Sequence, residues 1–382
     1  MLVLSIIGIM AIYSAHSYSG GTQWQMQLIW VIVGGIVYLC VSKIDYNFFL
    51  QNAHWIYWIS IAFLVVLWSP LGERRFGALR WLNIGGLLIQ PSEPAKLGFL
   101  IMTAAMIARS EITALEHSWR EILKILLVFC VPIFLIFLQP DLGSALTFPP
   151  MLFAMLYVAD LSHKFFIYAI SVVLIVVTVI AFDIFNYRLF LDRHELDPIT
   201  NIGAYEKHSI LPLKDYQRNR IISFVAPDIV DPKGIGVSWN LRQSLIAVGT
   251  GGIFGKGFNN GTQAKLGYLP KSVASNDFVF SVIAEERGFV GAVVVLFMYF
   301  LIIFDTLRTA LLSRDRFGTY LAVGISTLFL THILINIGMT LGLMPITGIP
   351  LPFLSYGGSF LLICCFLQGV VQSVYRFRMS YA

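Results

Sequence analysis

Charge is what this sequence most lacks. Asp, Glu, Lys and Arg supply 12% of its 382 residues and hydrophobic side chains 57%, against about 25% charged residues in soluble domains. Together with a mean hydropathy of +0.78, this shortage excludes a soluble enzyme and leaves a polytopic membrane protein. Cysteine is also sparse: Cys40, Cys130, Cys364 and Cys365 all lie in apolar runs, without the spacing of a metal site or a disulfide framework. There is no His-rich metal motif, no Gly-x-Ser-x-Gly elbow and no Walker Lys-Ser or Lys-Thr pair after a glycine loop. Nucleotide chemistry on an inner face is therefore not expected. The net charge of +5 is spread along the chain, which argues against nucleic acid as a partner.

Long apolar runs are abundant. A helix crossing the hydrocarbon needs about 20 apolar residues, and ten runs qualify, near residues 1–15, 26–42, 53–69, 92–109, 122–138, 143–160, 164–185, 277–304, 317–342 and 354–374. The first begins at residue 1 without the charged n-region of a cleavable signal, and reads as a short span with a few upstream residues missing. The expected fold is thus an all-α integral membrane protein of about ten transmembrane helices, with one long loop, 186–276, between spans seven and eight. Lys43, Arg109, Arg120, Lys124, Lys164, Arg308, Arg314, Arg316, Arg376 and Arg378 fall in one set of alternate loops, whereas the opposite short loops hold only Arg74, Arg75 and Arg80. Positive residues mark the cytoplasmic side, so both termini are expected there and the long loop outside.

The unusual polar chemistry gathers on that outer side. In "SNDFVFSVIAEERG", Asp277 opens span eight, where a carboxylate serves as a helix cap or as a functional group. Ser281 and Glu285 share its helical face; Glu285 and Glu286 read as structural carboxylates paired with a base such as Arg287. In "QPSEPAKL", Glu93 and Lys96 stand three apart on the first turn of span four, a spacing that suits a structural pair and a substrate-site pair equally well. Gln139 and Asp141 flank a Pro turn before span six, where capping by Asp141 is the favoured role. The long loop adds Arg218, Arg220, Arg242, Gln243, Lys256 and Lys265 near "VGTGGIFGKG", whose main-chain amides offer a weak diphosphate cradle.

Five stretches carry a resemblance: "RWLNIGGLLIQPSEPAKL", "QPDLGSAL", "RIISFVAPDIVDPKG" with its glycine-rich continuation to "GTQAKLGYLP", "DFVFSVIAEERGFVGA" and "MPITGIPLPFLSYGGSF". In this order they resemble the SEDS family (shape, elongation, division and sporulation) over essentially the whole chain, 1–382, as a single membrane domain. "ITGIPLPFLSYGG" is closer to the family's elongation member than to its division member. The resemblance implies a glycosyltransferase that polymerises lipid II at the outer leaflet of the bacterial cell membrane, joining glycan carried on undecaprenyl diphosphate to the 4-hydroxyl of GlcNAc with inversion. It implies Asp277 as the essential carboxylate with Glu93 and Lys96 lining the same cavity; the residues themselves add Arg80, Gln139, Asp141, Arg218, Gln243 and Lys256 as further substrate-binding candidates. No protein-held metal is implied; Mg²⁺ or Mn²⁺ arrives, if at all, with the lipid diphosphate. The implied partners are a class B penicillin-binding protein and the elongation machinery.

Two departures from the family pattern stand out. The segment from Lys271 to Asn276 is about two residues longer than usual, with Asn276 in place of the commoner Thr, and Asn186–Asp215 is expanded. The rival readings are a septal polymerase, a lipid II flippase and a non-enzymatic scaffold. A flippase needs polar groups throughout the membrane depth, whereas these collect at one side.

Overall fold

The computed structural model describes residues 1–379 except 18–19, 76–77, 86, 111–114, 197–200, 202, 207, 210, 212, 214, 226–230, 232–235 and 237. Part of the expanded Asn186–Asp215 segment therefore lies outside the described residues. The chain is an all-α membrane bundle of about ten spans. In order these are α1 (Leu2–Ser17), α2 (Gln23–Val41), α4 (Ala53–Val66), which follows the short α3 (Asn47–Gln51), α5 (Ser92–Arg109) and α6 (Leu115–Leu138). Next come α7 (Leu142–Ala145) with α8 (Phe148–Val158), α9 (His163–His194), α14 (Val279–Leu312), α15 (Arg316–Thr340) and α16 (Gly358–Arg376). Between α9 and α14 lie α10 (Asp215–Val225), α11 (Trp239–Thr250), α12 (Thr262–Lys265) and α13 (Lys271–Ala274). The two extra residues before Asp277 thus fall in or beside a short helix, α13. Span seven runs to His194, past the expected end at 185, because no Pro or Gly interrupts it.

Burial separates the spans into two classes. Six helices among the described residues are long and apolar enough to cross a membrane, and within them 78% of the most apolar window of α15 is buried, against 6% for α9. α15 is therefore a central strut and α9 meets lipid on nearly every face. α5 falls outside that apolar group because Glu93 and Lys96 sit in its first turns, yet most of its residues are buried. Charge inside a span is tolerated only where protein surrounds it, and α5 sits between α4 and α15 in the core.

One element was not expected from the sequence. β1 (Gly72–Arg75), β2 (Ala78–Ile84) and β3 (Leu87–Ile89) form a small antiparallel sheet in order β1-β2-β3 between α4 and α5. Leu82 pairs with Gly72 on one side and Ile89 on the other and is fully buried. The alternation is too short to stand out among apolar runs, since three strands are the least that hold a sheet together.

A break in α14 organises the long loop. Gly288 has φ 65° and ψ −162°, outside helical values, so the ladder opens around it. The loop after α11 takes up the released groups: Lys256 N donates to Glu285 O (3.0 Å) and Gly257 N to Glu286 O (3.0 Å), while Phe289 N donates to Gly252 O (2.9 Å) and Val290 N to Ile253 O (3.1 Å). Non-helical backbone survives at membrane depth only when protein satisfies it in this way. The contact needs glycine, because a Cβ on Gly255 would lie 2.2 Å from Glu286 O and one on Gly288 2.4 Å from Gly255 N. "VGTGGIFGKG" is therefore a packing seam against α14, and the amides of Gly255 and Gly257, already donating to backbone carbonyls, do not form the diphosphate cradle expected from the sequence.

Gly288→Ala should accordingly cost more than the roughly 1–3 kcal/mol of a left-handed non-glycine residue, because the added methyl also meets backbone. Thermal unfolding in detergent should show a clear loss for Gly288→Ala and Gly255→Ala. Gly35→Ala, where a Cβ meets nothing within 4 Å, should leave the melting temperature unchanged or raise it.

Candidate functional site

Asp277 lies in the turn between α13 and α14. Its amide donates to Val273 O (3.0 Å) and the cap position of α14 belongs to Phe278, so Asp277 is not the cap of its span. The side chain is half-buried. Two hydrogen bonds stitch its segment to the loop between α15 and α16 and a third to α15 itself: Tyr356 N donates to Ser275 O (2.9 Å), Ser355 Oγ to Asn276 O (2.6 Å), and Asn336 Nδ2, on α15, to Asp277 O (2.9 Å). A Cβ on Gly348 would stand 3.5 Å from Asp277 Oδ2, so the carboxylate faces that loop directly. The "SND" and "TGIPLPFLSY" motifs, far apart in sequence, thus form one structure.

Behind this loop lies the buried pair. Lys96 Nζ donates to Glu93 Oε1 at 2.8 Å, and the two side chains are 1% and 3% exposed. Lys96 Nζ also lies 3.2 Å from His332 Nε2, while His332 Nδ1 lies 3.0 Å from Pro350 O. A carbonyl only accepts, so Nδ1 carries the proton and Nε2 presents its lone pair to the ammonium. Phe360 stacks on His332 with ring centroids 5.0 Å apart, and its centroid is 5.8 Å from Lys96 Nζ. Taking two ions out of water costs several kcal/mol each; here the ion pair, the imidazole and the ring together offset it. The chain Glu93, Lys96, His332, Pro350 ends in the loop that faces Asp277.

Asp141 caps α7 through Ser144 N (3.3 Å) and Ser144 Oγ (2.8 Å). Its other partners are Gln90 Nε2 at 3.0 Å and Arg80 at 3.8 Å, and Arg80 also donates to Pro140 O. The capping role is therefore present, with a cation added to it. Gln139 is turned inward, donating to Leu64 O (3.2 Å). The start of α7 touches the same loop as Asp277, since a Cβ on Gly143 would lie 2.7 Å from Thr347 O. Arg80, 24% exposed, is the cation of this cluster that reaches solvent.

Other candidates have different surroundings. Arg218 is fully buried and bound by Asp183 (2.8 Å), Asp215 (3.0 Å) and Leu213 O (2.6 Å), with Tyr187 and Tyr205 against its guanidinium; it holds the end of α9 to α10, and the structure does not bring it to Asp277. Lys256 bonds Glu285 (2.7 Å), Thr250 (2.8 Å) and Thr262 (2.7 Å). Glu285 also accepts from Thr262 N and Gln263 N, and Glu286 from Ser14, so neither pairs with Arg287, which lies over Phe258. Arg287 is exposed; the base expected beside these carboxylates is Lys256 for Glu285, while Glu286 is held by the Ser14 hydroxyl instead. Gln243 is buried on α11, whose Ser244 bonds Ser281 of α14 (2.6 Å). Glu286 and Arg287 border a groove of about 290 Å³ whose other walls, Ile7, Met10, Val290 and Val294 among them, are apolar.

His332, Asn336 and Ser355 were not singled out from the sequence. The signal was there for two of them: a His and an Asn four apart in "THILINIG", inside an apolar span, share one helix face. Among the described residues no three His, Cys, Asp or Glu side chains converge as a metal cage.

Comparison with known proteins matches residues 1–380 to the family model for FtsW, RodA and SpoVE, described as "Cell cycle protein". The chain is 31% identical to the peptidoglycan glycosyltransferase RodA of Treponema pallidum, over 98% of this chain and 95% of the relative. It is 33% identical to a probable peptidoglycan glycosyltransferase FtsW of Trichlorobacter lovleyi (98% and 91%) and 30% identical to the peptidoglycan glycosyltransferase MrdB of Escherichia coli K12 (99% and 92%). Its fold matches a chain of a solved peptidoglycan synthase complex with a TM-score of 0.75 at 24% identity, covering 99% and 96% of the two chains. It also matches the crystal structure of Thermus thermophilus RodA with a TM-score of 0.66 at 22% identity, covering 100% and 96%. Carrying the family's motifs in order, matched along its length by the family model and by relatives at this identity, the chain belongs to the FtsW/RodA/SpoVE family of cell cycle proteins.

Proposed function

We propose that the chain is a peptidoglycan glycosyltransferase that polymerises lipid II, with Asp277 as general base. The observation that carries the assignment is the stitched segment around Asp277, which fixes a half-buried carboxylate at the end of the bundle where the motifs meet. The names of its relatives support the reaction class. In the reaction, the 4-hydroxyl oxygen of the terminal GlcNAc of lipid II attacks the anomeric carbon of the glycan carried on undecaprenyl diphosphate. The bond to the diphosphate breaks on the opposite face, undecaprenyl diphosphate leaves with the electron pair, and an α linkage becomes β-1,4. The hydroxyl proton passes to Asp277, a service worth about 100-fold to 10,000-fold.

Charge on the leaving diphosphate needs cations held in place beforehand. Arg80, which is partly exposed, supplies one, and the buried Lys96–Glu93 pair supplies a fixed dipole behind the loop. A divalent ion, Mg²⁺ or Mn²⁺, enters with the diphosphate as part of the substrate. The site faces outward and both termini are cytoplasmic, a reading supported by the distribution of Lys and Arg. The partner is a class B penicillin-binding protein that cross-links the product, in keeping with the fold shared with a chain of a synthase complex. The role is cell elongation, supported by "ITGIPLPFLSYGG"; depletion should give rounded cells, whereas unseptated filaments would assign the chain to division.

Two measurements follow. Asp277→Asn should lower lipid II polymerisation by the purified protein at least about 100-fold with folding intact; full-length polymer from that variant would remove Asp277 as the base. Lys96→Met alone strands a buried carboxylate and should cost about 3–5 kcal/mol, while Glu93→Leu with Lys96→Met should recover most of that stability. If the double variant also polymerises normally, the pair is structural only.

A further inference from the structure

We infer that Asn336 is a positioning residue for Asp277, and that α15 sets the proposed base and the buried cation in register through Asn336 and His332. The inference rests on Asp277 being the base. Asn336 is 0% exposed, and its single amide group reaches two carbonyls: Nδ2 donates to Asp277 O at 2.9 Å and to Ile349 O at 2.6 Å. One of these carbonyls belongs to the residue that bears the carboxylate. The other belongs to the residue after Gly348, the position facing that carboxylate. A single planar NH₂ therefore fixes both sides of the gap that Asp277 Oδ2 looks into.

One turn earlier on the same helix face, His332 does the corresponding thing. It takes the next carbonyl, Pro350 O, through Nδ1 (3.0 Å) and presents Nε2 to Lys96 (3.2 Å). Consecutive carbonyls of one loop are thus fastened to consecutive turns of the most buried long helix. α15 cannot slide or rotate without moving Asp277, the loop and Lys96 together. The Asn336 Oδ1 atom is buried without a hydrogen-bond partner among the described residues, so the side chain is retained at the cost of an unsatisfied acceptor.

The residue type follows from the chemistry. Two acceptors must be met by one side chain, which needs an NH₂ with two hydrogens. Serine has one, and an ionised aspartate has none and would add charge inside a span. Glutamine carries the donor one methylene too far.

The test uses the purified full chain, alone and with its cross-linking partner, and measures kcat and KM for lipid II per folded molecule. Asn336→Ala should lower kcat about 10-fold to 100-fold, the scale expected when a reacting group is displaced by about 1 Å, and leave KM unchanged within about twofold. Ser355→Ala cuts a second stitch, to Asn276 O, outside the span; it should shift kcat in the same direction and reads the effect if Asn336→Ala is not recovered folded. Ser373→Ala, which removes a partly buried hydrogen bond to Ile44 O at the far end of α16 from the site, controls for stability alone and should leave kcat unchanged. Wild-type kcat in Asn336→Ala and Ser355→Ala, or an equal loss of kcat in Ser373→Ala, would overturn the inference while Asp277 stood. An Asp277→Asn protein that polymerises at the wild-type rate would overturn both.

Discussion

Every break in a membrane helix must find partners for the amides and carbonyls it releases, and this fold is built around two such debts. At Gly288 the loop of residues 252–257 lends two amides and two carbonyls to α14. Between α15 and α16, the irregular loop is fastened by Asn336, His332 and Ser355. Both solutions bring sequence-distant segments against α14 and α15, and both leave side chains in places that an unbroken bundle has no way to create. Asp277 belongs to the second. Its position follows from where the backbone had to be satisfied.

Electrostatics then divides the carboxylates of span eight into different tasks. Glu285 is spent on Lys256 and three donors from Thr262 and Gln263, and Glu286 on Ser14, so these two hold the loop and α1 in place. Asp277, ahead of the helix and half-buried, has its Oδ2 toward the Gly348 loop. Lys96 is held inside the bundle by Glu93, the His332 imidazole and an aromatic ring. Such a pair is costly to bury and gives a dipole that does not need to reorganise during reaction.

The spans were legible because apolar runs of helix length have few other readings, and the polar cluster was legible because charge is rare in them. Glu93 and Lys96 were placed together by spacing alone, and the structure joins them. The capping role of Asp141 was likewise readable from its place before a short helix. What the sequence concealed were long-range partners. Nothing local says that Lys256 reaches Glu285, that Arg218 turns into its own loop, or that glycines resembling a phosphate cradle are there to let two backbones touch. The three-stranded sheet escaped for a related reason, its alternation being shorter than the apolar runs beside it. His332 and Asn336 were readable in principle, as polar residues one turn apart in a buried span, and their meaning appears only once Pro350 and Ile349 are seen opposite them.

The most direct test of the account is a structure of the Asp277→Asn protein with lipid II bound. The account places the 4-hydroxyl of the acceptor GlcNAc about 2.6–3.2 Å from the side chain at position 277, beside the Gly348 loop, with the diphosphate of the donor toward Arg80. A substrate seated elsewhere in the bundle, with that hydroxyl beyond the reach of position 277 even through one water, would contradict it.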